Sequence, residues 1–462
     1  MKKIVRIQKI EIENFKSVKH GKIELGKKDN IFEILEDSKM LGIYGQNGSG
    51  KTSVIEAANI LKRLLKGERL SEKVLEYITK DSNYFKINVN FYIEESEKEK
   101  FLLTYSCEVE KKEITLKTYE ELEKNRIILT EKLKIREFYD GKWKRIRNIL
   151  ENKKVPELLK QRILINEKML LNYRVGRLLT EREGRSFIFS EELEKILKEN
   201  EKKIEGDFRF IRILKDYGIR NLYVISNKES SLINGNLMIP FSFRCKTGNT
   251  VSQGKLLISL SEPTFLLEKE YQIINNIIKQ LNIVLNSLIP NLELEIAVIK
   301  EDINKEMELG KSIRLISKRD DIRIPLEYES DGIKKIISIL STLIVAYNEP
   351  SFSLFIDELD AGIFEYLLGE ILKIIEKYGK GQLVFTSHNL RPLEVLESKH
   401  IHFSTVNPYE KYIKISNVKK TNNLRSIYMR EMAIGESKIP LYKGNNINKM
   451  RLAFKEAWCE NE

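Results

Sequence analysis

The chain has 462 residues, 42% hydrophobic and 32% charged, with nine prolines and no Ser/Pro-rich tract, which excludes a long disordered protein and allows one large elaborated domain or two to three small ones. No apolar run approaches the roughly 20 residues that cross a bilayer, and the start "MKKIVRIQKIEIENF" alternates charged with apolar residues, unlike a secretion signal, so a cytoplasmic protein without membrane contact is expected. A formal charge of +12, from 80 basic and 68 acidic residues, admits DNA as a partner, although lysine is spread along the whole chain rather than gathered into a patch.

The first element, "IVRIQKIEIENF", alternates apolar and polar residues as a half-buried strand does, and "GKIELG" reads as its partner. "MLGIYG" at 40 to 45 is a short, continuous apolar strand ending at glycine. In "TSVIEAANILKRLL", Val54, Ile55, Ala58, Ile60, Leu61, Leu64 and Leu65 fall near helical spacing. Between that strand and helix lies Gly45-Gln46-Asn47-Gly48-Ser49-Gly50-Lys51-Thr52, which fits GxxxxGK[ST] in the context the motif requires. The glycines let backbone N–H groups curl around phosphate oxygens, Lys51 reaches the terminal phosphates, and the Thr52 hydroxyl ligates Mg2+. Asn47, Gly48, Ser49, Gly50 and Ser53 complete the expected phosphate-binding set.

"YFKINVNFYIEE" and "KFLLTYSCEVE" read as antiparallel strands, giving the first lobe a mixed sheet. From about 115 to 215 the sequence is charged and reads as an inserted helical arm, interrupted by Gly141, Pro156 and Gly176. Within it "DGKWKRIRNILENKK", 140 to 154, is the best basic cluster and carries Trp143; a ligand face and a solvated helix face account for it equally well. A strand-like region, "NLYVISN" to "MIPFSF", precedes a helix that Pro263 opens and Pro290 closes, with an apolar stripe from Ile274 to Leu288 that is expected to pack on the chain's own sheet in preference to binding a partner. The cysteines Cys107, Cys245 and Cys459 are far apart and lack metal-ligand spacing, so all three read as reduced structural thiols.

The second half supplies acids. "EYESDGIKKIISILSTLIVAY" starts a helix after Ser330-Asp331-Gly332, where Ser330 and Gly332 offer a hydroxyl and N–H groups to an anion. In "SFSLFIDELDAG" an apolar strand carries Asp357 at its C-terminal end, where open α/β sheets place ligands, with Glu358 next. Asp357 suits the Mg2+ shell and Glu358 the polarisation of an attacking water. "GQLVFTSHNL" repeats the pattern with Thr386, Ser387 and His388, a polar trio suited to the γ-phosphate, which His388 would sense or stabilise.

The order of phosphate loop, Ser-x-Gly helix, "FIDELD" and "TSH" resembles the ABC-type ATPases of the SMC/RecF/OLD-like branch over residues 1 to 95 and 320 to 405. The resemblance implies an α/β ABC-type P-loop ATPase head with a mixed central sheet, an inserted helical arm and a helical tail. It implies ATP and Mg2+ as cofactors and paired heads that sandwich ATP between the phosphate loop of one copy and the Ser-x-Gly helix of another. By it, Lys16 and Ser17 of "ENFKSV" sit near the nucleotide, "ESDGIKK" is a degenerate signature, Asp360 begins the D-loop and His388 is the switch histidine. Asp331 and Ile333 depart from the usual signature, and no glutamine between Gln46 and Gln161 provides a Q-loop.

The expected division is 1–110 for the N-terminal lobe, 111–215 for the arm, 216–320 for a region completing the head, 321–405 for the C-terminal lobe and 406–462 for the tail. The tail, "NNLRSIYMREMAIGESKIPLYKGNNINKMRLAFKEAW", reads as helical, with no spaced acidic cluster of the kind a TOPRIM nuclease needs. The chain therefore most resembles the ATPase subunits of two-component anti-phage systems, such as the AriA component of PARIS and the ATPase of Septu. That resemblance implies an ATP-hydrolysing switch acting on a separate effector; a RecF-like DNA-binding repair ATPase is the alternative, and a transporter subunit a distant third.

Overall fold

In the computed structural model, which describes residues 3–26, 35, 38–96, 98–114, 124–139, 141–152, 167–198, 206, 208–227, 232–233, 235–247, 250–303, 307–415, 423–434, 441 and 447–459, the N-terminal alternation forms β1 (Ile4–Phe15) and its antiparallel partner β2 (Val18–Glu24). The chain then leaves this sheet for β3 (Met40–Tyr44) and α1 (Lys51–Leu65). It returns as β4 (Tyr84–Glu94), β5 (Lys100–Ile114) and β6 (Lys124–Tyr139), with β1–β4, β4–β5 and β5–β6 all antiparallel. Two short strands, β7 (Lys142–Trp143) and β8 (Arg147–Glu151), pair with β6.

The sheet thus extends into the segment expected to begin the helical arm, and residues 124–151 correct that expectation. Ile127, Leu129, Leu133 and Ile135 alternate inward as strand residues do, but Glu131 fills the inward position between them. A buried carboxylate there hides the period of two. The basic cluster around Trp143 is accordingly a hairpin and not a helix face: Trp143 packs edge-on against Phe138 at 5.3 Å, and Lys144 and Arg147 both pair with Glu137. Asp140, Lys153, Lys154 and Pro156 lie outside the described residues. Helices follow, as expected, at α2 (Glu167–Glu183), α3 (Glu191–Lys198) and α4 (Arg209–Arg220).

Beyond α4 come β9 (Leu222–Ile225), the hairpin of β10 (Met238–Thr247) and β11 (Thr250–Ser259), and β12 (Thr264–Leu267). The helix expected to open at Pro263 begins instead at Glu268, because residues 264–267 are held as a strand by pairing with β14 (Leu309–Arg319). The Glu270 carboxylate accepts from the Leu267 N–H at 3.0 Å and so caps this helix, α5 (Glu268–Leu288). Its Ile274, Ile277, Ile278, Leu281 and Leu285 are buried, and it packs on β13 (Leu292–Ile303), the antiparallel partner of β14, which also pairs with β15 (Ile322–Pro325). Apart from single-turn helices, the elements that follow are α6 (Asp331–Asn348), β16 (Ser353–Ile356), α7 (Glu365–Tyr378), β17 (Gln382–Thr386), β18 (Ile401–Ser404), β19 (Tyr412–Ile413), α8 (Leu424–Ile434) and α9 (Ile447–Cys459).

A second sheet runs in the order β19-β18-β3-β17-β16-β9, with β18, β3, β17, β16 and β9 parallel and β19 antiparallel on the edge. Its central strands are apolar on both faces, as a covered parallel sheet requires. Phe355 and Val384 join a core with α1 and the antiparallel sheet, whereas Leu354, Ile356, Leu383 and Phe385 join a second core with α5, α6 and α7. Helix α1 is therefore wedged between two sheets, which explains why nearly all its apolar positions are buried. Cys107 is a buried thiol in the first core; the side chains of Cys245 and Cys459 lie outside the described residues. Among the described residues no helix is long and apolar enough to cross a membrane.

Candidate active site

The order of the parallel sheet brings three strand ends side by side. β3 runs into the glycine loop, its neighbour β17 ends at Thr386, and the next strand, β16, delivers Asp357. Carboxyl ends of parallel strands are where such sheets bind ligands. A cavity of about 350 Å³ opens there, lined by Lys16, Ser17, Asn47, Gly48, Gly50, Lys51, Thr52, Ser53, Asp357, Glu358, Thr386 and His388. Residues drawn from both halves of the sequence thus converge on one space.

The loop is shaped by what glycine permits. A Cβ on Gly45 would sit 2.0 Å from Ser404 Oγ and 2.7 Å from Ser404 O, so that residue must be bare. Gly50 takes φ +95° as the cap of α1, a left-handed conformation that favours glycine. Lys51 is buried and donates from Nζ to Gly45 O at 2.8 Å and Gln46 O at 3.0 Å. Burial lowers its pKa to about 8, against the opposing pull of Asp357, Glu358 and Asp360. Gly45 and Ser49 stand behind the loop rather than in the cavity lining, and Ser49 is buried with its hydroxyl against that of Ser404.

Across the cavity, Thr52 Oγ1 donates to Asp357 Oδ1 at 3.2 Å, and Thr386 Oγ1 donates to the same oxygen at 2.6 Å. Glu358 adopts φ +48°, sparsely populated for a residue with a Cβ. Asp360 accepts from the backbone N–H groups of His388 (3.0 Å) and Asn389 (2.9 Å), fixing the segment that carries the His388 ring. Partial burial and the Lys51 charge hold that imidazole below its ordinary range. Ser387 is buried and accepts from the Asn389 N–H at 3.0 Å, so of the polar trio only Thr386 and His388 line the cavity.

Lys16 reaches the cavity while paired with Glu56 and seated 4.6 Å from the centre of the Tyr77 ring. Ser330 and Gly332 do not line it. Ser330 caps α6 by accepting from the Ile333 N–H at 3.4 Å, and Gly332 packs so tightly on Gly362 that a Cβ would meet its carbonyl at 2.1 Å.

Residues that sequence reasoning missed hold the loop from behind. Tyr412 Oη donates to Gly50 O at 2.6 Å, and Ser404 Oγ donates to Tyr44 O at 3.0 Å. The signal for Ser404 was present, since "IHFS" is another apolar strand ending in a hydroxyl. Tyr412 carried none.

The donor set suits a hard divalent cation: one carboxylate and one hydroxyl, with the remaining positions left to phosphate and water, is how Mg2+ is commonly held. Asp357 and Thr52 would hold it, and when bound it would neutralise charge on the phosphate oxygens.

A family model described as "AAA domain, putative AbiEii toxin, Type IV TA system" matches residues 40–394. No curated protein sequence matches the chain. Among solved structures, the SMC head domain from Thermotoga maritima is 14% identical, with 89% of this chain and 100% of that one covered at a TM-score of 0.38. The Smc head domain with an extended coiled coil, bound to the C-terminal domain of ScpA and derived from Pyrococcus furiosus, is 12% identical over 94% and 100% at 0.40. The recombination mediator RecF with ATP is 13% identical over 84% and 94% at 0.34.

Proposed function

Because the chain belongs to this AAA-domain family, its match spanning residues 40–394, and is an ATPase of the AAA/ABC type, we propose that it works as an ATP-driven switch in bacterial anti-phage defence. In this reading ATP closes paired heads, the arm and tail hold or release a separate effector such as a TOPRIM-type nuclease, and hydrolysis resets the assembly. Lys51 binds the terminal phosphates, Asp357 and Thr52 hold Mg2+, Glu358 orients water, and His388 senses the γ-phosphate.

One observation carries the proposal. The P-loop, the acidic pair and His388 share one cavity, while Ser330 caps, and Gly332 lies in the first turn of, a helix outside it. A serine-glycine turn outside the cavity of its own copy is free to complete the cavity of another. Light scattering tests this: Mg2+ and ATP should convert monomer to dimer, and Ser330→Arg should abolish the conversion while leaving nucleotide binding to the monomer intact. A strictly monomeric protein at high concentration with Mg2+ and ATP would sink the switch. The net charge of +12 favours the second reading, a DNA-binding repair ATPase; ATP-dependent duplex binding that weakens steeply with salt would place that reading first.

A further inference from the structure

We propose that Thr386 is a positioning residue for the ATPase site, one hydroxyl that sets both acidic groups at once: it orients the Asp357 carboxylate toward the cation position and locks the backbone that presents Glu358. This rests on the reading of Asp357 and Glu358 given above.

Thr386 is fully buried at the end of β17, beside β16 in parallel register, with Ile356 opposite Phe385. Its hydroxyl donates to Asp357 Oδ1 at 2.6 Å and accepts the Glu358 N–H at 2.8 Å. Its backbone carbonyl accepts the Leu359 N–H at 3.0 Å. One residue therefore ties three consecutive positions of the turn after β16. A hydroxyl has a single proton to give. Donated to Asp357, that proton is not available to a phosphate oxygen, so contact with the γ-phosphate, the role the sequence suggested, gives way to an indirect one.

The turn needs such a tie. Glu358 sits at φ +48°, which sterics disfavour for a residue bearing a Cβ and which persists only where surrounding bonds over-determine it. Its N–H has the Thr386 hydroxyl as acceptor, and without that acceptor the turn can relax toward an ordinary conformation that moves the Glu358 side chain. Asp357 is equally dependent: buried and held through one oxygen by Thr52 and Thr386, it loses its shorter hydrogen bond if the hydroxyl goes.

The test compares Thr386→Val, which keeps the shape and removes the hydroxyl, with Thr386→Ser, which keeps the hydroxyl. Two readouts are needed: steady-state ATP hydrolysis, and Mn2+ binding followed by electron paramagnetic resonance in the presence of a non-hydrolysable ATP analogue. Partners of metal-ligating groups are worth about 10–100-fold in affinity or activity. Thr386→Val should therefore lower kcat by at least about tenfold and weaken Mn2+ binding by about tenfold, with KM for ATP changed less than about twofold, and Thr386→Ser should restore both. If the valine variant melts below the assay temperature, Thr386→Ala carries the same comparison. Wild-type kcat and Mn2+ affinity in the variants lacking the hydroxyl, or equal losses in Thr386→Ser, overturn the inference. A wild-type protein that hydrolyses no ATP would instead overturn the assignment of the site itself.

Discussion

Thr52 and Asp357, 305 residues apart in sequence, meet through a 3.2 Å hydrogen bond from the threonine hydroxyl to the aspartate Oδ1. The contact exists because β17 alone separates β3 from β16, so that the loop after one strand and the acid after another point into the same cleft. Asp357→Asn keeps the size and the accepting oxygen but removes the charge that a divalent cation needs. Turnover should fall by about 100-fold and the Mg2+ concentration for half-maximal rate should rise by at least about tenfold. Nucleotide binding measured in EDTA should be unchanged, since Lys51 and the loop amides remain. Equal Mg2+ dependence in variant and wild type would remove Asp357 from the metal shell.

Glu358 follows with a different expectation, because it lines the cavity yet makes no tie to Thr52. Glu358→Gln should bind ATP within about threefold of wild type while turnover falls by roughly 10²–10³, the range that a positioned general base contributes. In light scattering with ATP and Mg2+ the variant should remain dimeric for longer than wild type. Unchanged turnover would refute its role as the group that orients water.

The parts of this site that sequence reveals are those whose chemistry depends on neighbours in the chain. The P-loop is one contiguous turn, and Asp357 and Thr386 each end a run of apolar residues that announces a covered strand. What stayed hidden depends on tertiary approach. Tyr412 supports Gly50 only because β19 and β18 pack behind the loop, and nothing about "EKYIK" anticipates that. The division of labour in "TSH" was equally invisible, since which hydroxyl points into the cleft is decided by strand register, not residue type. The sequence of strands β6 and β8 reads as helix for a third reason. Lysine and glutamate on an outer sheet face resemble a charged helix surface, and the buried Glu131 interrupts the inward alternation that would have separated the two.

That glutamate is itself a test of the fold. Its carboxylate accepts from the hydroxyls of Tyr105 (2.6 Å) and Ser186 and from the N–H of Phe187 (2.8 Å), tying β6 to the segment between α2 and α3. Glu131→Ala leaves those donors buried without an acceptor and should cost about 3 kcal/mol in chemical denaturation. Burial raises the Glu131 pKa above the ordinary glutamate value, despite the opposing hydrogen bonds. The folded chain then binds more protons than the unfolded one above that value, so this group's contribution is largest in acid and declines as pH rises through the raised pKa. Glu131→Gln should lack that decline. A pH dependence identical in wild type and Glu131→Gln would show that the carboxyl titrates alike in both states.

At Lys51, stability and catalysis respond to pH with opposite signs. Its ammonium is buried on the loop carbonyls, and desolvation lowers its pKa from 10.5 to about 8. Between those values the unfolded chain holds the proton and the folded one has lost it, so the Lys51 contribution to stability rises with pH across that window. Phosphate binding needs the charge and therefore suffers as the proton leaves. Because kcat/KM reports the free enzyme, it should fall by about tenfold per unit above about pH 8, whereas kcat should bend at higher pH because a bound triphosphate stabilises the ammonium. Lys51→Ala should lower kcat/KM by at least about 100-fold and flatten this alkaline limb. The measurement is initial ATPase rates from neutral to alkaline pH at saturating Mg2+. An alkaline limb of the same midpoint in Lys51→Ala would assign the titration to another group.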